Sequence, residues 1–240
     1  MKKVIQVAVK EPQYVVSTDV AFAQVDAWFG HTVRDLKLDV IYPEHTEKRP
    51  CIVWICGGAW LQMSVSAHLA YLCDLAREGF VVASVQYRTS NEAVFPAQLE
   101  DVKAAIRYLK AHSERYGIDP ERFGVMGESA GGHLTVMTAL TGGHKEFDKG
   151  DYLEYSSAVQ AACPISYVTK DAPPFLLLHG TNDHTVPYTQ GEAMYEALTK
   201  AGADADLIAI EGADHADLHF FQREVWKIIA DFFKEKLNVK

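Results

Sequence analysis

Six short apolar runs punctuate this chain: Ile52-Val53-Trp54-Ile55, residues 80–85, Phe123-Gly124-Val125-Met126, residues 158–163, Phe175-Leu176-Leu177-Leu178 and Leu207-Ile208-Ala209-Ile210. None alternates with polar residues, so each predicts a strand buried on both faces, as in a parallel sheet. Between them the period changes. Leu99, Val102, Ile106 and Leu109 recur at three and four residues, which predicts a helix over 96–113 with one apolar face. Segments 191–200 and 218–237 read the same way. Val225, Ile228, Ile229, Phe232 and Phe233 would pin the last helix to the sheet. Residues 34–41 differ, because Leu36, Leu38 and Val40 alternate with polar residues, as in an antiparallel edge strand. Strand alternating with helix predicts an α/β fold, a mostly parallel sheet with helices on both faces. The glycine-rich polar stretch 141–152 reads as a loop. With no repeat, low-complexity tract or linker, the expectation is a single domain over 1–240, with 1–33 its least defined part.

The run at 123–126 leads into Gly127-Glu128-Ser129-Ala130-Gly131, and residues 133–140 after it suit a helix. Strand, sharp turn, helix is the context in which G-x-S-x-G marks a nucleophilic serine. The turn strains the serine backbone, and small neighbours avoid clashes with the adjoining elements. Ser129 would stand above the sheet, with the helix N-terminus aimed at developing negative charge.

A serine hydroxyl needs a base, and the base needs an orienting group. Asp183, in His179-Gly180-Thr181-Asn182-Asp183, falls just past the run at 175–178. His215, in Glu211-Gly212-Ala213-Asp214-His215, falls just past the run at 207–210. Both therefore belong to the carboxyl edge of the sheet, where open α/β sheets place their sites. Among the rivals, Asp206 begins a strand and belongs to the opposite edge. Asp214 and Asp217 read as solvated, His219 as structural, His179 as loop support, His184 as exposed and His133 as packed. Oxyanion donors are expected from the N–H of Ala130 and from Gly57 and Gly58 in Cys56-Gly57-Gly58-Ala59-Trp60, after the first parallel strand.

Composition narrows the partners. A net charge of −9 argues against nucleic acid and anionic membrane surfaces. No apolar stretch is long enough for a membrane span, and Gln6 and Lys10 break any secretory h-region, so a cytoplasmic location is expected. The four cysteines lack metal or redox spacing, and the ten histidines form no H-E-x-x-H or comparable cluster. No metal and no cofactor are expected.

The segments 56–60, 127–134, 179–183 and 214–215 together resemble the α/β-hydrolase esterases, in particular a small bacterial acetylesterase-like and feruloyl-esterase-like group related to the hormone-sensitive-lipase-type enzymes. Val85-Gln86-Tyr87-Arg88, residues 96–101 and residues 116–122 extend the resemblance, which runs from about Arg34 onward. It implies a Ser129, His215, Asp183 triad and metal-free hydrolysis of a small-molecule or carbohydrate ester (acetyl or feruloyl esters of plant sugars) through an acyl-enzyme. Trp60 would line the acyl or alcohol pocket or simply pack. The rival readings are a serine peptidase or amidase of the same fold, and a non-catalytic small-molecule binder on a hydrolase scaffold. Two departures stand out. Such esterases carry histidine where this chain has Cys56, so the loop must be held otherwise. They also insert a cap after the strand at 158–163, whereas here about ten residues lead to Pro173-Pro174. The missing wall would come from residues 14–29, with Phe22, Trp28 and Phe29, or from a second subunit of a homo-oligomer.

Overall fold

A computed structural model describes residues 1–44, 47–163 and 173–239. Most of the segment on which the cap expectation rests, 164–172, lies outside the described residues. Eight strands form one sheet: β1 (Tyr14–Ala27), β2 (Thr32–Pro43), β3 (Arg49–Ile55), β4 (Val81–Val85), β5 (Ile118–Gly127), β6 (Ala161–Cys163), β7 (Phe175–Gly180) and β8 (Ala205–Ile210). Their spatial order is β1-β2-β4-β3-β5-β6-β7-β8. From β4 to β8 every neighbour is parallel, and β1 and β2 join antiparallel. The helices are α1 (Leu69–Arg77), α2 (Ala97–Ala111), α3 (Ser113–Tyr116), α4 (Ala130–Leu140), α5 (Tyr188–Lys200) and α6 (Arg223–Lys236).

Strand alternation divides the apolar side chains between two cores. Cys51, Val53 and Ile55 of β3 face one side with Leu99, Val102, Ile106 and Leu109 of α2, Leu134 of α4 and Leu198 of α5. Ile52 and Trp54 face the other with Leu72 and Leu75 of α1 and Ile229, Phe232 and Phe233 of α6. Continuous apolar runs follow directly from this arrangement, because a central strand has no solvent face.

Four local expectations change. The run at 207–210 is not buried on both faces, because β8 is the other edge strand, its residues only partly covered and Ala209 exposed. Residues 34–41 are antiparallel as read, but β1 takes the edge and leaves β2 inside the sheet. The strand at 158–163 shortens to Ala161–Cys163. The last helix divides, since Gln222 is extended (φ −82°, ψ 147°) between a short 3-10 turn at Leu218–Phe221 and α6. In residues 14–29, Phe22 turns into the core near Tyr108, while Trp28 and Phe29 stand exposed on the tip of the β1–β2 hairpin. Leu38 pairs with Val85, the last residue of β4, so that tip projects beyond the carboxyl edge of the sheet.

Helix α2 buries cations as well as its apolar face. Lys103 and Arg107 are fully buried and reach the polar loop at 141–152. Lys103 Nζ donates to the carbonyls of Thr141 (2.7 Å) and His144 (3.1 Å), and Arg107 pairs with Asp148 at 2.9 Å. Removing one partner of a buried pair strands the other charge in low dielectric. Asp148→Ala is therefore expected to lower unfolding free energy by about 3 kcal/mol, read from denaturant midpoints; a loss within error would contradict the anchoring role.

Lys110, one turn on, donates to Ala158 O at 2.8 Å and lies 5.0 Å from the Phe123 ring centroid. Burial pushes its ammonium down to about 8. Between that value and the ordinary lysine range, the unfolded chain holds a proton that the folded chain has lost. Stability contributed by this site therefore rises with pH across that window. Wild type is expected to gain stability relative to Lys110→Met as pH rises from about 8 to about 10. Parallel stability curves for the two proteins would refute the burial effect.

Candidate active site

The elbow forms because β5 runs straight into α4. Ser129 sits between them at φ 51° and ψ −122°, a conformation that costs a non-glycine residue on the order of 1–3 kcal/mol. Gly131 makes the turn possible, since a Cβ there would meet Ile55 O at 1.9 Å. Ala130 is the first residue of α4, where helical N–H groups have no acceptor within the helix.

The loop after β3 lies against this elbow. A Cβ at Gly57 would stand 2.9 Å from Glu128 O and 3.1 Å from Ser129 Cβ. Gly58 follows at φ 126°, and its carbonyl accepts from Leu61 and Gln62 N–H at 3.0 and 3.2 Å. Gly57 is thus brought against Glu128 and Ser129, with Gly58 next in the chain. Trp60 is about one-third exposed and meets the His133 ring edge-on, with centroids 5.4 Å apart. Both rings therefore belong to the surface beside the elbow, His133 one turn into α4. Burial lowers the proton affinity of His133.

Asp183 and His215 come from the loops after β7 and β8. His215 Nε2 lies 2.9 Å from Ser129 Oγ, and Nδ1 lies 2.8 Å from Asp183 Oδ2. The other Asp183 oxygen accepts the N–H groups of Thr185 (2.9 Å) and Val186 (2.7 Å), so its orientation is fixed. Buried His179 braces this loop through Val186 O at 2.9 Å.

The rival residues do something more specific than face water. Asp214 Oδ1 accepts from the backbone N–H of His184 (3.0 Å) and His215 (2.7 Å). These bonds hold its carboxyl down at about 2. Asp217 accepts from the N–H of Asp214 and of His219, which closes the turn bearing His215. Asp206 lies in β8 beside Leu176, remote from the triad's edge.

Two residues hold the loop that begins with Cys56. Tyr87 Oη donates to Cys56 O at 2.9 Å. Arg88, next in the chain after Tyr87, makes a forked contact with Asp101, 2.7 Å at its shortest, so the motif segments 85–88 and 96–101 meet physically. The second is His68, which no spacing in the sequence marks. Its Nε2 lies 2.8 Å from Glu128 Oε1, and its ring stacks on Phe221 at 4.9 Å. Hydrogen bonding with Cys56 and Glu128 raises its imidazole to about 9. Cys56 Sγ donates toward the same carboxylate oxygen across 3.9 Å. Cys56, His68 and Glu128 thus present three ligand-type atoms within 4.8 Å of one another, gathered from three separate segments.

A small apolar cavity of about 50 Å³ lies on the core side of the elbow, lined by Gly127 and Glu128 together with Trp54, Met126, Leu178, Trp226 and Ile229 among others, and Ser129 and His215 do not line it. A far larger one, about 940 Å³, lies around Arg49, Gly79 and Arg122 at the amino edge of the sheet, away from the triad. Among the described residues no helix is long and apolar enough to cross a membrane.

Comparison with known proteins adds the lineage. The BD-FAE family signature matches residues 38–158, half of the chain, and the prolyl oligopeptidase family signature matches residues 142–240. A probable isoprenylcysteine alpha-carbonyl methylesterase, ICMEL1 of Oryza sativa, is 26% identical over 79% of this chain and 56% of its own length. The probable carboxylic ester hydrolase LipM of Mycobacterium tuberculosis is 30% identical over 64% of this chain and 46% of its own. The chain thus spans about half the length of these relatives. A truncated carbohydrate esterase from gut microbiota superposes with a TM-score of 0.81 at 29% identity, covering 95% of this chain and 100% of the other. With the sheet order and the elbow, these matches place the chain in the BD-FAE family of α/β-hydrolase fold.

Proposed function

We propose that this chain is a serine carboxylesterase. The observation that carries the reading is the unbroken line from Ser129 Oγ to His215 to Asp183, at 2.9 and 2.8 Å. His215 Nε2 takes the serine proton as Oγ attacks the ester carbonyl. Asp183 holds the ring in the tautomer whose Nε2 accepts, and stabilises the imidazolium that forms. The oxyanion is held by the N–H of Ala130 and by those of Gly57 and Gly58, each donor worth ~3 kcal/mol in the transition state. His215 then protonates the departing alcohol. Water attacks the acyl-enzyme by the same route in reverse.

The substrate is an ester of a small acyl group, of the acetyl kind, on a sugar-sized alcohol. The acyl half of this reading rests on the resemblance to acetylesterase-like enzymes carried by residues 127–134. The carbohydrate esterase whose fold this chain shares supports the alcohol. Trp60, beside the elbow, is assigned to the substrate wall. An acyl-length series of p-nitrophenyl esters tests this, together with acetylated sugars and methyl ferulate. The expected result is kcat/KM highest for acetate and falling with chain length. Preference for methyl ferulate would refute the short-acyl assignment.

The prolyl oligopeptidase match over 142–240 favours a second reading, cleavage of amides. Matched ester and anilide substrates with one acyl group separate the two. The esterase reading expects the ester to be hydrolysed and the anilide to turn over negligibly.

A further inference from the structure

We infer that Cys56, His68 and Glu128 form a binding site for a borderline-soft divalent cation such as Zn²⁺, and that its occupancy slows the reaction at Ser129. The kinetic half rests on the esterase reading; the binding half does not.

The donor set is the first ground. Thiolate, imidazole and carboxylate are the three ligand types zinc takes, and three protein ligands leave a fourth position for water. Here they come from the loop after β3, the residue preceding α1, and the elbow, so they converge only in the folded chain. Spacing is the second ground. Bond lengths of about 2.0–2.3 Å in a tetrahedron put neighbouring ligand atoms roughly 3.3–3.6 Å apart. His68 Nε2 and Glu128 Oε1 are 2.8 Å apart, Cys56 Sγ and Glu128 Oε1 are 3.9 Å apart, and all three atoms lie within 4.8 Å. Shifts of a few tenths of an ångström to about an ångström would close the tetrahedron.

The surroundings agree. The His68 ring is held by a stacked Phe221 at 4.9 Å and an edge-on Trp54 at 5.6 Å. These rings fix its direction and lower the local dielectric. One thiolate and one carboxylate would neutralise a dication there, so the occupied site carries no net charge. Side chains of His68 and Glu128 remain 20% and 18% exposed, which provides an entry path. On binding, the cation sends the thiol proton and any imidazolium proton to solvent.

Position in the chain supplies the consequence. Cys56 immediately precedes Gly57, and Glu128 immediately precedes Ser129. Drawing these two side chains onto one ion moves the oxyanion loop relative to the nucleophile. Misplacement by about an ångström can cost about a hundredfold in rate. A shift of part of that size is expected to lower kcat about tenfold and leave KM nearly unchanged.

Cobalt(II) is the probe, because its bond to a thiolate produces a near-ultraviolet charge-transfer band. The chelator-treated full chain is titrated with Co²⁺, as wild type, Ser129→Ala, Cys56→Ser and His68→Ala. The expected result is a band saturating at one equivalent in wild type and Ser129→Ala, absent from Cys56→Ser and weakened in His68→Ala. Circular dichroism checks that each variant is folded. In parallel, Zn²⁺ is expected to lower kcat for p-nitrophenyl acetate in wild type, but not in Cys56→Ser relative to its own metal-free rate. No thiolate band in wild type overturns the proposal. So does a band that survives Cys56→Ser, which would point to half-exposed Cys73. Zinc inhibition undiminished in Cys56→Ser also overturns it, by locating the ion on His215 and Asp183.

Discussion

Ser129→Ala is expected to lower kcat for p-nitrophenyl acetate by ~10⁴ or more while leaving a folded protein. The strain at this position belongs to the backbone, and alanine carries it as serine does. The hydroxyl is engaged with His215, and its loss removes no core contact. What remains after the substitution is substrate binding and the oxyanion donors, which by themselves support only a small residual rate. Circular dichroism establishes the fold, and initial rates with enough enzyme establish the loss. Undiminished turnover in a folded variant would show that another group attacks the ester.

Asp183→Asn is expected to lower kcat by about 10⁴ with little change in KM. The reason is directional. Thr185 and Val186 N–H groups both point at Oδ1, so an asparagine there must turn its carbonyl oxygen toward them. Its NH₂ then faces His215 Nδ1 and forces that nitrogen to accept. The ring proton moves to Nε2, which can no longer take a proton from Ser129. Asp214 cannot substitute, although it is adjacent to His215 in the chain. Its Oδ1 is occupied by two backbone N–H groups and its Oδ2 faces His184 Nδ1 at 3.2 Å. Asp214→Asn, which keeps an oxygen for those N–H groups, is expected to lose far less activity. Equal losses in the two variants would reassign the orienting carboxylate.

Much of this architecture was legible in the chain. Unbroken apolar runs arise wherever a strand has helices on both sides, and they marked β3 to β7. A residue just beyond such a run must emerge at the carboxyl edge, and that rule alone brought Ser129, Asp183 and His215 to one rim. The same rule sent Asp206 to the other. These are short-range inferences, each needing only the strand next to the residue in question.

Long-range pairing was not legible. Alternation in 34–41 marked antiparallel character, but which of two antiparallel strands takes the edge depends on which of them pairs with β4. Nothing in the sequence near Lys103 and Arg107 announces that the loop at 141–152 folds over them. His68 lies in a stretch without period, and only the packing of Trp54, Tyr71 and Phe221 turns it toward Cys56 and Glu128. Sequence determined which residues reach the rim, because strand direction is local. Tertiary structure decided what braces them, because a buried polar group takes its partner from whichever distant segment arrives with a matching donor or acceptor.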